Sequence, residues 1–555
     1  MTEFRRLMLA SLLFLIGMML FNAWEAEHAP TPVPATATST TTTTPSSVTS
    51  TSGVSTTTPT PVTSPTTITT KNQYVQLKTN VIDATIDRVG GTIVNAKLLK
   101  YPVSLQEPNT PTTLFSQDPK DYYVATSGVI SKDLPPANQM IYQAKVENND
   151  VVLTYQNAKL LITKTYSFSP DDYLIQVKQS ISNISGAPVQ ATAYAELQRK
   201  PVSAKGVGPF NISTFLGGVV SSPKKRYEKL TFKDMSQEPL NQTAKNGWLA
   251  MVQHYFLSAW VPTPTEIYHY YTQDNNNIYT LGMQSPQMTL QPQQTQTVSD
   301  QLYVGPEIAS DLAKIAPGLN LTVDYGILWF IAVMIFAVLK EMYKITGNWG
   351  WSIVLVTLFI KILFYKLNSI SFRSMANMRA LQPRIEQIRL NCGDDKQKLG
   401  KATMELYKRE KINPLGGCLP LLVQIPVFLS LYWVIMESVQ LRQAPFIFWI
   451  HDLSIKDPYY ILPILMGITI FIQQMIAPKA PDPMQRKLMM AMPFIFTALF
   501  LSFPAGLVLY WVVNNTLSIS QQYYIMNHVV PRSKKKKEES ANQPKTKKTK
   551  KIKKS

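Results

Sequence analysis

The stretch from Trp349 to Leu367, WGWSIVLVTLFIKILFYKL, decides how this chain is built. Two tryptophans open it, an apolar run from Ile353 to Leu367 follows, and Lys361 interrupts that run. Tryptophans of this kind mark a membrane–water interface, and a helix of this length, rising ~1.5 Å per residue, nearly covers a ~30 Å hydrocarbon core. Lys361 then lies about 15 to 18 Å from the tryptophans, past the middle of the core. An unpaired ammonium at bilayer depth costs roughly 2.5 to 3.5 kcal/mol on insertion scales, so it needs a wet or paired environment. Alternatively it snorkels to the cytoplasmic headgroups, near Tyr365 and Lys366. Snorkelling allows for the depth but does not explain the polar residues in other apolar segments: Gln424 and Ser430, Gln473 and Gln474, Thr497 and Ser502, Asn514, Asn515 and Thr516. Together they describe a cationic, hydrated intramembrane site that meets something anionic.

Further spans follow from the same reading. Apolar segments run from Leu7 to Trp24, Leu419 to Glu437, Tyr459 to Ile476, Leu488 to Phe503 and Leu507 to Ile525, which with Trp349 to Leu367 gives six crossings. Both chain ends are strongly basic and belong in the cytoplasm, so the number of crossings is even. Counted from Tyr325, the segment to Tyr343 is long enough to span, but it is apolar only for its first part and then carries Lys340 and Glu341, and parity assigns it instead to the outer face as an interfacial amphipathic helix. Glu307 to Ala316 is a short helix stopped by Pro317 and Gly318. On the inner side, Met375, Met378, Leu381, Ile385 and Ile388 recur at helical spacing, Gly393 to Asp395 break the pattern, and Leu399, Ala402 and Leu406 resume it. This predicts an antiparallel helical hairpin with basic faces that either dock a partner or are simply solvated.

The first half of the chain reads differently. Arg5 and Arg6 precede the Leu7–Trp24 stretch, which is either a signal peptide or an anchor; its length and the Trp24, Glu25 and His28 that follow favour an anchor. Pro30 to Thr70 is almost wholly Thr, Ser, Pro, Ala and Val, a tether without the large apolar residues a core needs. From Tyr74 to about Val304 short alternating segments predict a β-sandwich: Ile82, Ala84 and Ile86 face one way, Gly90 and Gly91 turn the chain into Thr92–Leu99, and similar runs recur at Val151–Tyr155, Leu160–Phe168, Tyr173–Ile181 and Val189–Leu197. Large β-sandwiches often bind sugars, and some epimerise them with His and a carboxylate. His254 and His269 are the histidines of this region, both beside aromatics, and His254 reads as a strand residue. The domain therefore reads as a binding or scaffolding module.

Composition removes several classes. Net charge is +19, roughly half of it from Pro531 to Ser555 with its runs Lys534–Lys537 and Lys545–Lys554. Cys392 and Cys418 are the two cysteines and neither falls in the large domain, so no disulfide framework holds it. No Cys/His cluster has metal-ligand spacing, and neither a P-loop nor a dinucleotide fingerprint occurs, so neither a metal nor a cofactor is expected and the chain reads as a non-enzyme.

Three long motifs carry a resemblance: NPLGGCLPLLVQIPVFLSLYWV (Asn413–Val434), RQAPFIFWIHDLSIKDPYYILPILMG (Arg442–Gly467), and DPMQRKLM with FPAGLVLYWVVNN (Asp482–Asn515). With LFNAWE near the start, NGWLAMVQHYF and YVGPE in the large domain and NWGWS before the second span, they resemble the YidC/Oxa/Alb family of membrane protein insertases, in its Gram-negative form. The resemblance implies an α-helical polytopic inner-membrane protein with six transmembrane helices, a five-helix insertase core, a large periplasmic β-sandwich domain and a cytoplasmic helical hairpin. It divides the chain into an anchor (1–28), a tether (29–71), the periplasmic domain (72–305), periplasmic interfacial helices (306–346), the second span (347–370), the hairpin (371–414), spans three to six (415–530) and a basic cytoplasmic tail (531–555). It also implies a hydrophilic groove open to cytoplasm and lipid, where a positive residue, usually arginine, attracts acidic parts of nascent membrane proteins. Lys361 takes that place by its spacing from NWGWS, and Lys366 stands where relatives tend to have proline. Lysine is a point charge where arginine offers a bidentate fork. Gln424, Pro426, Tyr510, Trp511, Asn514 and Asn515 join Lys361 as candidate groove residues, each with helix packing as the competing role. The implied partners are nascent membrane proteins, the Sec translocon (SecYEG and SecDF), and the ribosome through the basic tail. Anionic lipids would attract the same tail. The competing classes are a solute transporter or channel, since intramembrane charge often marks a transport path, and a sugar epimerase acting through the sandwich.

Overall fold

The computed structural model describes residues 73–201, 215–264, 266–393, 395–413, 419–477 and 483–529. The expected anchor, tether and basic tail lie outside the described residues. The amino-terminal half is β-rich and the carboxy-terminal half helical.

Two antiparallel sheets build the large domain. One runs from Tyr74–Lys78 through Ile82–Asp87, Thr92–Pro102, Tyr123–Ile130, Val189–Arg199, Ile278–Gln284 and Ile267–Asn275 to Asn241–Lys245. The other runs from Glu228–Leu230 through Gly217–Ser221, Trp248–Gln253, Phe256–Pro262, Thr295–Pro306, Leu174–Asn183, Leu160–Phe168 and Asp150–Gln156 to Gln143–Glu147. The alternation in the sequence is the cause. In Leu160–Phe168 every second side chain is buried, and these residues meet Leu98, Leu197 and Leu281 of the facing sheet in one core. Lys164 occupies an inward position of that strand. Its ammonium donates to the carbonyls of Gly90 (3.1 Å), Gly91 (3.0 Å) and Ser127, and burial drives its pKa down to about 7.

A short helix, α1 (Phe232–Gln237), is held by a Thr231–Asp234 capping box; α2 (Ala309–Ile315) leads out of the last strand and ends before Pro317 and the left-handed Gly318. The helical half then runs α3 (Trp329–Thr346), α4 (Trp349–Leu363), α5 (Tyr365–Ala380), α6 (Gln382–Cys392), α7 (Lys396–Arg409), α8 (Leu419–Glu437), α9 (Ile461–Ile476), α10 (Pro483–Phe500) and α11 (Ala505–Tyr524).

Three departures from the sequence reading stand out. The second span is not one helix: α4 and α5 meet at Phe364 with a bend of 69°, seven residues before the helix-to-hairpin boundary near residue 371 expected from the sequence. The bend forms although Lys366, not proline, follows it. The first limb of the hairpin is also broken, at Leu381, because Pro383, the second residue of α6, lacks the N–H to continue α5. α6 and α7 then pack through Leu381, Ile385 and Leu406, with Arg384 on Glu410 at 2.7 Å. Finally, with the turn before it, α3 is continuous from Gly326 to Thr346; among the described residues it alone is, unaided, long and apolar enough to cross a membrane. It leans on the helical core by Ala332, Ile335 and Leu339, while Tyr343 in its last turn stacks on Trp349 at 4.1 Å. Its other side exposes Trp329, Phe330, Val333 and Met334.

Candidate functional site: a polar recess between three helices

Lys361 lies in the last turn of α4, just before the bend. The bend carries Asn368, two turns further on, to the same recess, whose walls are Ile360, Lys361, Phe364 and Asn368 of α4 and α5, Pro420, Val423, Gln424 and Val427 of α8, and Tyr510 and Asn514 of α11. None of these lining residues is acidic. The Lys361 ammonium donates to Ser518 Oγ at 2.6 Å, and the Ser518 hydroxyl donates in turn to the Asn514 carbonyl at 2.8 Å. One turn on, Gln521 Nε2 reaches the Tyr365 carbonyl at 3.3 Å. α11 therefore grips the break in the second span at two points, and the ammonium is tied to a neighbouring helix.

Of the residues singled out from the sequence, Lys361, Gln424, Tyr510 and Asn514 meet in the recess. Pro426, Trp511 and Asn515 are not among its lining residues. Trp511 packs edge-on against Phe428 at 5.0 Å and lies near Phe500 at 5.7 Å, and Asn515 Nδ2 donates to Thr469 Oγ1 of α9 at 3.2 Å. The spacing explains the split: positions 510, 514 and 518 share one face of a helix, whereas 511 and 515 turn to the next. That same 510–514–518 step is the signal for Ser518, which the sequence reading misses; Asn368 is hidden by the bend. Several buried polar groups nearby, the Ser430 hydroxyl, the Trp511 N–H and the Gln522 amide, have no hydrogen-bond partner among the described residues. Buried groups of this kind are normally met by water or a ligand, so this part of the helical half is polar beyond what its own residues satisfy.

The large domain is seated on the helices by the motif residues NGWLAMVQHYF. His254 is not a strand residue as expected: it lies in the turn between Trp248–Gln253 and Phe256–Pro262, stacks on Tyr255 at 3.7 Å, and its Nε2 is 2.8 Å from the Met436 carbonyl at the end of α8. The strand pattern on both sides hides a turn that Tyr255 makes with a positive φ of 71°. Burial lowers the His254 pKa, so the ring is neutral and donates to that carbonyl. Nearby, Arg442 Nη2 bonds the carbonyls of Pro102 (2.8 Å) and Val103 (3.1 Å). Glu307 of YVGPE is buried at the same junction, and desolvation, with Glu437 and Asp324 adding to it, holds its carboxyl well above the usual range. His269, on the far sheet, bonds Asn241 Oδ1 at 2.8 Å. No group of three or more His, Cys, Asp or Glu among the described residues has the arrangement of a metal site.

Two family models match successive parts of the chain. Residues 74–338 match the family described as the YidC periplasmic domain, and residues 341–534 the 60Kd inner membrane protein family. The membrane protein insertase YidC of Coxiella burnetii (strain RSA 493 / Nine Mile phase I) is 43% identical over 545 residues, covering 94% of this chain and 96% of that protein. The YidC insertase of Hahella chejuensis is 47% identical over 468 residues, covering 81% and 82%. A solved active YidC insertase covers 82% of this chain and 93% of its own at 18% identity, with a TM-score of 0.39. At 43% identity along nearly its whole length, this chain belongs to the YidC family of membrane protein insertases.

Proposed function

We propose that this chain inserts membrane proteins by taking a short hydrophilic tail of the substrate into the recess between α4, α8 and α11, where Lys361 attracts its carboxylates. The observation that carries this reading is the Lys361 ammonium held at the wall of a polar recess with no acidic lining residue. A partly buried charge without an opposite charge among the lining residues is poised to receive one. Burial of the substrate's apolar segment in lipid then drives release, since each buried CH₂ contributes ~0.8 kcal/mol and a ~20-residue span can offset a short polar tail. Nothing in this sequence of steps forms or breaks a covalent bond, and we assign no enzymatic role, metal or cofactor.

The topology belongs to the same proposal: six spans in the inner membrane, both termini and the α6–α7 hairpin cytoplasmic, the large domain periplasmic, and α3 lying on the outer face. What supports the placement of α3 is its exposed apolar side combined with Lys340, Glu341 and Lys344 towards its end. The Sec translocon, the ribosome and anionic lipids are proposed partners on the grounds given by the sequence. The test is crosslinking from positions 361 and 424 during synthesis of a single-span substrate with an acidic tail, alongside Lys361→Ala. Capture of the nascent chain at both positions, and loss of insertion in the variant, is the expected result. Insertion unchanged in Lys361→Ala, with no capture, overturns the groove mechanism. Ion or solute flux through the reconstituted protein without substrate would favour a transporter instead.

A further inference from the structure

The loop from Val103 to Thr110, which joins two strands of the large domain, exposes Val103 (50%) and Leu105 (41%). It is a closed turn: Val103 N–H donates to the Thr110 carbonyl at 2.8 Å, and Thr110 N–H to the Glu107 carbonyl at 3.1 Å. Its base is fixed to the helical half. Arg442 holds the Pro102 and Val103 carbonyls, Gln443 Nε2 adds a bond to Pro102 at 3.2 Å, and the Arg442 guanidinium lies 5.6 Å from the centre of the Phe256 ring. A few residues on, the same segment meets the start of α4. Asn348 Nδ2 bonds the carbonyls of Pro445 (3.2 Å) and Phe446 (3.1 Å), and Phe446 packs edge-on against Trp351 at 5.4 Å. Gly350 lets this happen, since a Cβ there would lie 2.1 Å from the Phe446 ring. Phe448, two residues further, is 81% exposed.

These contacts form a short chain from the tryptophans at the start of α4 to the loop of the large domain. With the tryptophans at the outer interface, the exposed Leu105 and Phe448 belong to the surface beside it. We propose that the Val103–Thr110 loop and Phe448 rest on the outer leaflet of the bilayer, so that the large domain makes its own contact with lipid beside the helices. The occupant is the phospholipid surface itself, because the apolar side chains continue the belt that the spanning helices already present there. The loop contains no Lys or Arg and one acidic residue, Glu107, so the contact is apolar and does not depend on anionic headgroups.

This inference rests on the membrane placement of α4, and the experiment separates the two. The full chain, with Cys392 and Cys418 replaced by Ser, is reconstituted in phosphatidylcholine nanodiscs and labelled with an environment-sensitive fluorophore at one of four exposed positions. Leu105→Cys and Phe448→Cys report the proposed contact, Phe359→Cys, about 15 Å along the helix from Trp349, reports the span, and Val146→Cys on a far edge strand reports water. Leu105 and Phe448 are expected to show blue-shifted emission that is lost to shallow spin-labelled lipid, Phe359 emission lost to deep spin-labelled lipid, and Val146 no loss. Phe359 quenched while Leu105 behaves like Val146 overturns the loop contact alone. Phe359 unquenched overturns the placement of α4 and with it the proposal. Quenching of Leu105 that appears only when phosphatidylglycerol is added overturns the apolar contact in favour of an electrostatic one.

Discussion

Ser518→Ala removes one oxygen beside the recess, the acceptor that holds the Lys361 ammonium at 2.6 Å. A hydrogen bond to a charged group contributes about 1.5 to 3 kcal/mol net, and each 1.4 kcal/mol is about a factor of ten in a population. Without it, the ratio of lysine side chains held over the recess to those reaching for the cytoplasmic surface should fall by roughly ten- to a hundredfold. The packing cost is small, since the change deletes one buried oxygen and no carbon. Two readouts follow. Peptide-resolved labelling of the reconstituted protein with a membrane-impermeant amine reagent should modify Lys361 faster in the variant. Insertion of a single-span substrate with an acidic tail should slow several-fold, while a matched substrate with a neutral tail is little changed, and Ser518→Thr, which keeps the hydroxyl, should restore both. If Ser518→Ala slows both substrates equally, Ser518 acts through packing. If it changes neither labelling nor insertion while Lys361→Ala blocks insertion, the ammonium is positioned without it and the reasoning fails.

Three further outcomes test other parts of the structure. Burial sets the Lys164 pKa to about 7, below its ordinary value of 10.5, so between those values the unfolded chain binds a proton that the folded domain does not, and stability should rise with pH by up to about 1.4 kcal/mol per unit. Asp300 is raised by burial from 3.8 to about 7, so its contribution falls as pH rises through that window; hydrogen exchange of Leu160–Phe168, corrected for the intrinsic pH dependence of exchange, should therefore be fastest near neutral pH, and Lys164→Met should flatten only the alkaline side. His254→Ala removes the bond to the Met436 carbonyl, about 0.5 to 1.5 kcal/mol, and should speed proteolysis near residues 436–445 without altering exchange in the sandwich core. Lys366→Pro should leave helix content and insertion unchanged, because Lys366 is the second residue of α5, where a missing N–H costs little; a loss of activity would show that α4 and α5 form one continuous helix in the membrane.

The β half is legible because its signal is local. Leu160–Phe168 reads correctly to the residue, and neighbouring strands to within two, since alternation and turn residues act over a few positions. What local patterns do not supply is the reason for single residues within them. Lys164 fits the alternation as a polar residue in an apolar place, and only the fold brings three carbonyls to it. In the helical half, segment positions are legible from apolar length, but the recess is only half so. Polar residues can be collected from every apolar segment, whereas helical phase selects among them: 510, 514 and 518 look one way, 511 and 515 another. The bend at Phe364 carries no proline or glycine, so no residue type announces it.

That bend bears on why a lysine serves here. Lys361 lies in α4, three residues before the corner at Phe364, so the bend leaves it at the recess wall and redirects only the chain that follows. Because α5 turns away by 69°, Asn368 also lines the recess, and Gln521 ties α11 to the carbonyl of Tyr365 at the corner. The ammonium then has a defined acceptor in Ser518 and uses one of its three donors there. An arginine would bring a planar fork able to hold a carboxylate with two bonds. A lysine pinned by one bond keeps its remaining donors for an incoming carboxylate or for water, and holds it by charge with little demand on orientation. Under the proposed mechanism, in which the site takes in tails of different sequence and then lets them go, a weakly directional attraction is the more suitable chemistry.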